Sequence, residues 1–152
     1  MSFSPIHAQR ARISDVWTPA QLDQLDALIA ACALVAHADG WVTPDERGRM
    51  LERMRGLPVL AVFGVDEVLE AFEALDQRFE RDPSSAQVEA ESAIRRLRGR
   101  DAAGRDLVQA ACAVAVADGG LDAEERDVLL RICDLLALNP IQFDLITAAG
   151  RR

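Results

Sequence analysis

Apolar residues recur along most of this chain at intervals of three and four positions, the spacing that places side chains on one face of an α-helix. The clearest stripes are Leu22, Leu25, Ile29, Cys32 and Ala36; Val68, Phe72, Leu75 and Phe79; Leu107, Ala111 and Val114; and Leu129, Ile132 and Leu136. No stretch shows the strict polar–apolar alternation of a half-buried strand. The pattern therefore predicts an all-α domain, a compact bundle of about seven to eight helices.

Start signals mark several of these helices. A capping side chain is followed by a proline, or has Glu or Gln three positions later to complete a capping box. The signals are Thr18-Pro19, Thr43-Pro44 with Glu46, Asp122 with Glu125, and Asn139-Pro140 with Gln142. Each one predicts where a helix begins.

Two stretches of the chain resemble each other, and they suggest how the domain is built. They are Ala38-Asp39-Gly40-Trp41-Val42-Thr43-Pro44-Asp45-Glu46-Arg47 and Ala117-Asp118-Gly119-Gly120-Leu121-Asp122-Ala123-Glu124-Glu125-Arg126. Both predict a helix that ends in Asp-Gly, a short loop and a second helix that begins on acidic residues. We therefore predict a single domain over residues 1–152 with two similar helix–loop–helix units. Its parts are a lead-in arm (1–17), repeat one (18–56), a helical insert (57–99), repeat two (100–138) and a C-terminal helix (139–150).

Alanine is dense in the first helix of each repeat. The positions are Ala30, Ala31, Ala33 and Ala36 in one and Ala110, Ala111, Ala113 and Ala115 in the other. Because small side chains let helix backbones approach closely, these two helices are expected to cross at the centre. That crossing would bring the two Asp-Gly loops to the same end of the molecule. The helix over 85–98 has only a thin apolar side and is expected to be the most solvent-exposed.

Charge and composition argue against several classes of function. A net charge of −8 disfavours a nucleic-acid partner, because phosphate contacts need an excess of Lys and Arg. The three cysteines are too few for a disulfide framework or a Cys-based zinc site, and they suggest small core residues in a reducing compartment. No signal-peptide core is evident, and the longest apolar run, Ala27 to Ala38, is short for a bilayer. A cytoplasmic protein without direct membrane insertion is expected.

Asp39 and Asp118 each follow the end of a predicted helix, where the helix dipole makes a carboxylate unfavourable. One interpretation is structural, with the carboxylate accepting loop N–H groups in an Asx turn. The other is a bound cation, since free helix-end carbonyls beside a carboxylate offer oxygen ligands. The loops resemble the second half of an EF-hand. The positions four and two residues earlier carry no oxygen ligand, being Val35 and His37 in one copy and two valines in the other, so neither loop is a complete EF-hand.

Glu46 and Glu125 also have two interpretations. The structural interpretation is a capping box, in which a Glu at this position bonds the backbone N–H of the N-cap residue. If the loops meet, however, their four carboxylates form one patch that a divalent cation would neutralise. The candidate metal ligands are Asp39, Glu46, Asp118 and Glu125. No catalytic or cofactor-binding residue is predicted, because the sequence has no Ser-His-Asp, Cys-His or Gly-rich phosphate pattern.

Three further features are interpreted structurally first. His37 is expected on ordinary helix surface or edge rather than as an extra ligand, because its equivalent in repeat two is Val116. Trp41 is expected to cover the core beneath its loop rather than anchor a partner. The basic cluster is expected to be solvated helix ends, with an acidic partner or a second copy's acidic loops as the alternative. This cluster is Arg95, Arg96, Arg98, Arg100 and Arg105.

The duplicated Ala-Asp-Gly…Glu units in a helical chain resemble the TerB-like family, small all-helical proteins associated with bacterial tellurite resistance and stress response. The likeness covers about Leu25 to Phe143. It runs from Ala-His-Ala-Asp-Gly-Trp-Val-Thr-Pro-Asp-Glu through Ala-Val-Ala-Asp-Gly-Gly-Leu-Asp-Ala-Glu-Glu to Leu-Leu-Ala-Leu-Asn-Pro-Ile-Gln-Phe. The copies differ at Trp41 and Gly120, so their loops need not be equivalent.

The resemblance implies a non-enzymatic, cytoplasmic domain that works with partner proteins, in complexes often near the membrane. Its acidic surface residues are proposed to bind metal, and the positions that correspond here are the same four carboxylates. The expected function is a binding module for a divalent cation or a basic partner surface. A metal-dependent hydrolytic enzyme that uses the same carboxylates is one alternative. A purely structural or interaction module with capped loops is the other.

Overall fold

Six α-helices and one short 3₁₀-helix make up the part of the chain that the structure, a computed structural model, describes: residues 18–38, 43–56, 64–115, 122–143 and 145. The helices are α1 (Pro19–Ala36), α2 (Pro44–Arg55), α3 (Val65–Arg81), α4 (Pro83–Arg95), α5 (Asp101–Ala115) and α6 (Ala123–Leu136), and the 3₁₀-helix is Pro140–Phe143. These ranges contain no strand, and the predicted all-α class is confirmed. The arm over 1–17, the helical turns expected within 57–63 and the end of the C-terminal helix lie outside the described residues.

Capping side chains begin α1 and α6 where the sequence predicts. Thr18 Oγ1 accepts the Gln21 N–H at 3.2 Å, and Gln21 Oε1 accepts the Thr18 N–H at 2.9 Å, which closes a capping box on α1. α4 begins two residues earlier than Ser85, because Asp82 is its N-cap and accepts the Ser85 N–H at 3.3 Å. Pro83 then takes the first helical position, where its missing N–H leaves no bond unmade.

The two predicted repeats have matching helix boundaries. Ala36 and Ala115, which end α1 and α5, are 79 residues apart, and so are Pro44 and Ala123, which begin α2 and α6. Each repeat packs its second helix on the first helix of the other, since α2 contacts α5 and α6 contacts α1. The insert helices α3 and α4 both pack on α1, and each also contacts one second helix, α2 or α6. The repeats are therefore interlocked.

The central helix is α1, which contacts α3, α4, α5 and α6. All residues from Leu25 to Val35 are buried. By length and hydropathy alone, α1 could span a membrane, and it alone among the described helices meets both criteria. However, 67% of this helix is buried inside the bundle. Such burial is typical of a core helix that is apolar on all sides.

The predicted packing of the two alanine-rich helices is confirmed, because α1 and α5 lie against each other. Ala30 and Ala31 of α1 and Ala111 of α5 have no exposed surface. The small side chains let these backbones approach closely at the centre of the bundle.

The prediction that the helix over 85–98 would be the most exposed is wrong. α4 buries Ala86, Ala90 and Ala93, and its contact with α1 is the most extensive between any two described helices. Alanine has little apolar area, so the buried side of α4 looks thin in sequence although it lets two backbones approach closely. α2 is the more exposed helix, and Met50 and Met54 are the buried residues among those described in it.

Candidate functional site

Of the four predicted metal ligands, only Glu125 has a side chain within the described residues. Asp39 and Asp118 belong to the segments 39–42 and 116–121, which lie outside them, and so does the side chain of Glu46. The backbone of Glu46 is in the first turn of α2. Among the described residues, no group of three or more His, Cys, Asp or Glu side chains is placed to hold a metal ion. The four-carboxylate site stays a prediction, as does the covering role of Trp41, which also lies outside.

Glu125 closes the N-terminal turn of α6. Its Oε1 accepts the Asp122 N–H at 3.2 Å, and Asp122 Oδ1 accepts the Glu125 N–H at 2.7 Å. This reciprocal pair confirms the predicted capping box. It satisfies two N–H groups that have no partner within the helix. A further role of Glu125 as a metal ligand stays a prediction.

Residues next to the two acidic loops line one cleft. Ala38 directly precedes Asp39, and Glu124 is near the start of α6; both border a cleft of about 240 Å³ between the end of α1, α4 and α6. The lining also includes Leu34, Gln87, Glu91, Asp127, Val128 and Arg131. The end of α1 and the beginning of α6 therefore lie together at one end of the bundle. The predicted meeting of the loops themselves falls outside the described residues.

Glu91 of α4 forms the main ion pair of this cleft. Its Oε1 accepts from Arg131 Nη2 at 3.0 Å and its Oε2 from Arg131 Nε at 3.4 Å. Gln87 Nε2 also donates to Oε2 at 3.3 Å. The bond from Arg131, with smaller contributions from Gln87 and Arg95, lowers the pKa of Glu91 although burial acts in the opposite direction. The carboxylate is therefore charged at neutral pH and links α4 to α6.

A second buried carboxylate, on α3, bonds the two helix ends that come before and after residues 39–42 along the chain. Asp76 is 2% exposed, its Oδ1 lies 2.6 Å from His37 Nε2, and its Oδ2 lies 3.0 Å from Arg47 Nη2. Arg47 Nη2 also donates to Glu80 at 2.9 Å. His37 is the C-cap of α1, and Arg47 is at the start of α2. We name Asp76, His37, Arg47 and Glu80 the Asp76 cluster.

The interpretation of His37 as ordinary helix surface or edge is wrong. Its side chain is 9% exposed, and its ring stacks on Phe79 with 4.8 Å between centroids and 11° between planes. The comparison with Val116 did not show this, because contacts with α3 in the insert decide the environment of His37. The sequence did hold a signal. Asp76 is four positions after Phe72 and three before Phe79, so an acidic residue lies on the buried face of α3.

Residues 25–148 match a family model described as "TerB: Tellurite resistance protein TerB". The chain belongs to the TerB family. Comparison with curated proteins gave no match, and comparison with solved structures gave none either. The matched span begins within α1 and includes the insert, repeat two and all of repeat one after residue 24, so the TerB assignment applies to most of the helical bundle.

TerB membership confirms the resemblance inferred from the duplicated Ala-Asp-Gly motif, and it agrees with the all-α fold. It also supports a domain of the tellurite-resistance type. The metal, the partner proteins and the cytoplasmic location expected from the resemblance stay predictions.

The basic cluster of this TerB-family chain is bonded largely within the fold. Arg96 Nη1 donates to Asp26 Oδ2 at 3.2 Å, and Arg100 Nη2 donates to Asp23 Oδ2 at 3.0 Å. Arg96 and Arg100 follow the end of α4 and remain partly exposed, which agrees with the interpretation as solvated helix ends, and their ion pairs also attach this segment to α1. Arg98 is exposed.

The cysteines of the TerB fold are core residues, as predicted for Cys32 and Cys133, and Cys112 is half-buried. Burial raises the pKa of Cys32 and of Cys133 to about 12 and also raises the pKa of Cys112. All three thiols are protonated at neutral pH. A protonated thiol is a poor nucleophile and a poor metal ligand.

Proposed function

We propose that this TerB-family protein is a non-enzymatic binding module whose paired acidic loops bind a divalent cation. The proposed ligands are Asp39, Glu46, Asp118 and Glu125. The observation that carries the proposal is the shared cleft, because Ala38 precedes Asp39, Glu124 precedes Glu125, and both line the same space. Loops whose flanking residues meet can contribute oxygen ligands to one site.

The charge at this end of the bundle also favours a cation. Glu124 and Asp127 line the cleft in addition to the Glu91–Arg131 pair. Neighbouring carboxylates repel one another, and a bound cation removes that repulsion. Carboxylate and carbonyl oxygens suit hard ions such as Ca²⁺, Mg²⁺ or Mn²⁺.

A basic partner surface is the second ligand that the cleft favours. Leu34 and Val128 give it an apolar lining beside the carboxylates of Glu124 and Asp127. A Lys or Arg side chain can pack its stem on apolar surface while its charged end meets carboxylates. The partner would then be a protein with an exposed basic segment.

Thermal unfolding with and without a chelator tests the cation proposal. Ca²⁺, Mg²⁺, Mn²⁺ and Zn²⁺ are titrated separately against the wild type, Asp39→Asn/Asp118→Asn and the control Asp23→Asn. A metal at 100 times its Kd stabilises the folded state by about 2.7 kcal/mol. For a domain of this size that corresponds to roughly 5–10 °C in Tm. We expect this rise in the wild type and the control, and its loss in the double variant.

The opposite result has a clear meaning. If no metal raises the Tm of the wild type, and the double variant unfolds at a lower temperature in every buffer, the loops are structural and the cation proposal is wrong. Binding of a Lys- and Arg-rich peptide, measured on the same variants, then tests the second ligand. Metal-dependent hydrolysis of p-nitrophenyl phosphate that the double variant loses would replace the binding module with an enzyme.

A further inference from the structure

Asp76 contacts both sides of the first acidic loop from a helix that belongs to neither repeat. His37, which bonds Oδ1, is two residues before Asp39, and Arg47, which bonds Oδ2, directly follows Glu46. Both carboxylate oxygens are therefore engaged, and the residue is 2% exposed. A buried carboxylate is costly unless such bonds are made, so the arrangement of these three residues is strongly specified. The spacing between the end of α1 and the start of α2 is set by α3.

Each partner of Asp76 has a second contact that orients it. The His37 ring stacks on Phe79, which directs Nε2 towards Asp76. Arg47 is bonded by Glu80 as well as by Asp76. Packing and second contacts of this kind distinguish a built arrangement from an exposed ion pair, whose geometry is loose.

The described ion pair between the insert and repeat two is placed differently. Glu91 binds Arg131 in the second half of α6. Among the described residues, the bonds of Asp76 are therefore the ones that join the two helix ends flanking residues 39–42.

We propose that Asp76 is a positioning residue for the first acidic loop. This inference rests on the proposed function. Asp76 acts on Asp39 and Glu46 through the helix ends next to them, without touching the cation. Ligands held in place before binding cost less conformational entropy to order, so this support raises the affinity for the cation.

A double-mutant cycle on cation affinity tests this. Isothermal titration with Mn²⁺ alone, and separately with Ca²⁺ alone, is performed on Asp76→Asn, Asp39→Asn and Asp118→Asn and on the two combinations with Asp76→Asn. Circular dichroism first establishes that each variant is folded at the working temperature. We expect Asp76→Asn to weaken binding about tenfold, as loss of a supporting contact around a metal site typically does. The loss should become smaller in the Asp39→Asn background, where only Glu46 is left to be positioned, and persist in full with Asp118→Asn.

Asp26→Asn is the matched control. Asp26 is also buried and paired with an arginine, but it lies in the first half of α1, away from the C-terminal end that carries His37. We expect its affinity to stay within about twofold of the wild type, because the sites are too far apart to couple. A second pair of variants tests the cluster from the other side: His37→Gln keeps a donor towards Asp76 and should retain most of the affinity that His37→Ala loses.

The outcomes separate the two proposals. If the wild type binds a metal and Asp76→Asn binds it equally well, the positioning role is wrong and the proposed function stands. An effect of Asp76→Asn that is undiminished in the Asp39→Asn background also overturns the positioning role, because Asp76 would then act through the whole fold. If the wild type binds neither metal, the proposed function falls and this inference falls with it.

Discussion

Three carboxylates are buried among the described residues, and each is bonded to a cationic or imidazole side chain from another part of the fold. Asp26 pairs with Arg96, Asp76 with His37 and Arg47, and Glu91 with Arg131. A buried charge without a partner is strongly destabilising, so these bonds decide which helix surfaces can meet. The acids occupy apolar stripes that the sequence shows, but their partners lie as far as 70 residues away along the chain. The sequence therefore indicates which acidic residues lie on a buried face, but it does not indicate which side chains they bond.

Gly48 provides a test at the level of one residue. It lies inside α2, and a Cβ placed on it would meet no atom within 4 Å. Gly48→Ala should raise the free energy of unfolding by about 0.5–1 kcal/mol, because alanine loses less backbone entropy on forming a helix. Urea denaturation measures this as a higher midpoint with an unchanged m-value.

Gly104→Ala is the control for that substitution. Gly104 is also inside a helix, α5, but its Cβ would lie 3.2 Å from Leu138 Cδ1, closer than ordinary contact. The gain should be smaller than at Gly48 or turn into a loss. A Gly48→Ala variant that is no more stable than the wild type would contradict the open surroundings assigned to α2.

At the scale of elements, helix starts follow from local chemistry, whereas helix contacts do not. The caps Thr18 and Asp122 bond N–H groups three residues ahead, so the residues that form them are adjacent in sequence. The exposure of a helix depends on what packs against it. α4 shows this, because its alanines are a weak apolar signal and yet form the most extensive helix contact in the described fold.

The bond between α4 and α6 predicts a dependence of stability on pH. The pKa of Glu91 is lowered in the folded state, mainly by its bond from Arg131, relative to an ordinary value of 4.5. A lowered pKa means that the pair stabilises the fold above the unfolded pKa, and that this stabilisation is lost as pH falls through the folded pKa. The difference in unfolding free energy between the wild type and Glu91→Gln should thus be constant between about pH 6 and pH 8 and shrink below about pH 4.5.

Urea denaturation at a series of pH values measures that difference. Glu73→Gln removes the same charge from an exposed position on α3 and serves as the control. It should differ from the wild type by less than about 0.5 kcal/mol at each pH. A Glu91→Gln difference that grows as the solution becomes acidic would contradict the assignment of the ion pair.

For the whole molecule, the decisive feature is the exchange of helix contacts between repeats. α2 packs on α5 and α6 on α1, while α3 and α4 of the insert cover α1. Neither repeat can bury its apolar faces alone in this arrangement, as is common in repeat architectures. The insert is consequently part of the core, and it also provides the carboxylates that bond Arg47 and Arg131.

Overpacking the buried face of α4 tests this role of the insert. Ala90 has no exposed surface, so Ala90→Leu should lower the free energy of unfolding by about 1–3 kcal/mol as the helices packed on α4 are forced away. Val88→Leu adds the same side chain on the outer face of α4, where Val88 is 69% exposed, and should change stability by less than about 0.5 kcal/mol. Thermal or urea unfolding compares the two; equal effects would show that α4 is peripheral.

By itself, the sequence determined the all-α class, the helix starts, the two repeats 79 residues apart and the TerB family. Each of these depends on residues close together along the chain or on a motif repeated within it. Only the tertiary structure decided that α4 is a core helix, that the His37 side chain packs on α3, and that Arg96 and Arg100 bond α1. Those outcomes depend on close approach between distant segments, where small side chains and buried charges matter more than the apolar pattern of any one helix.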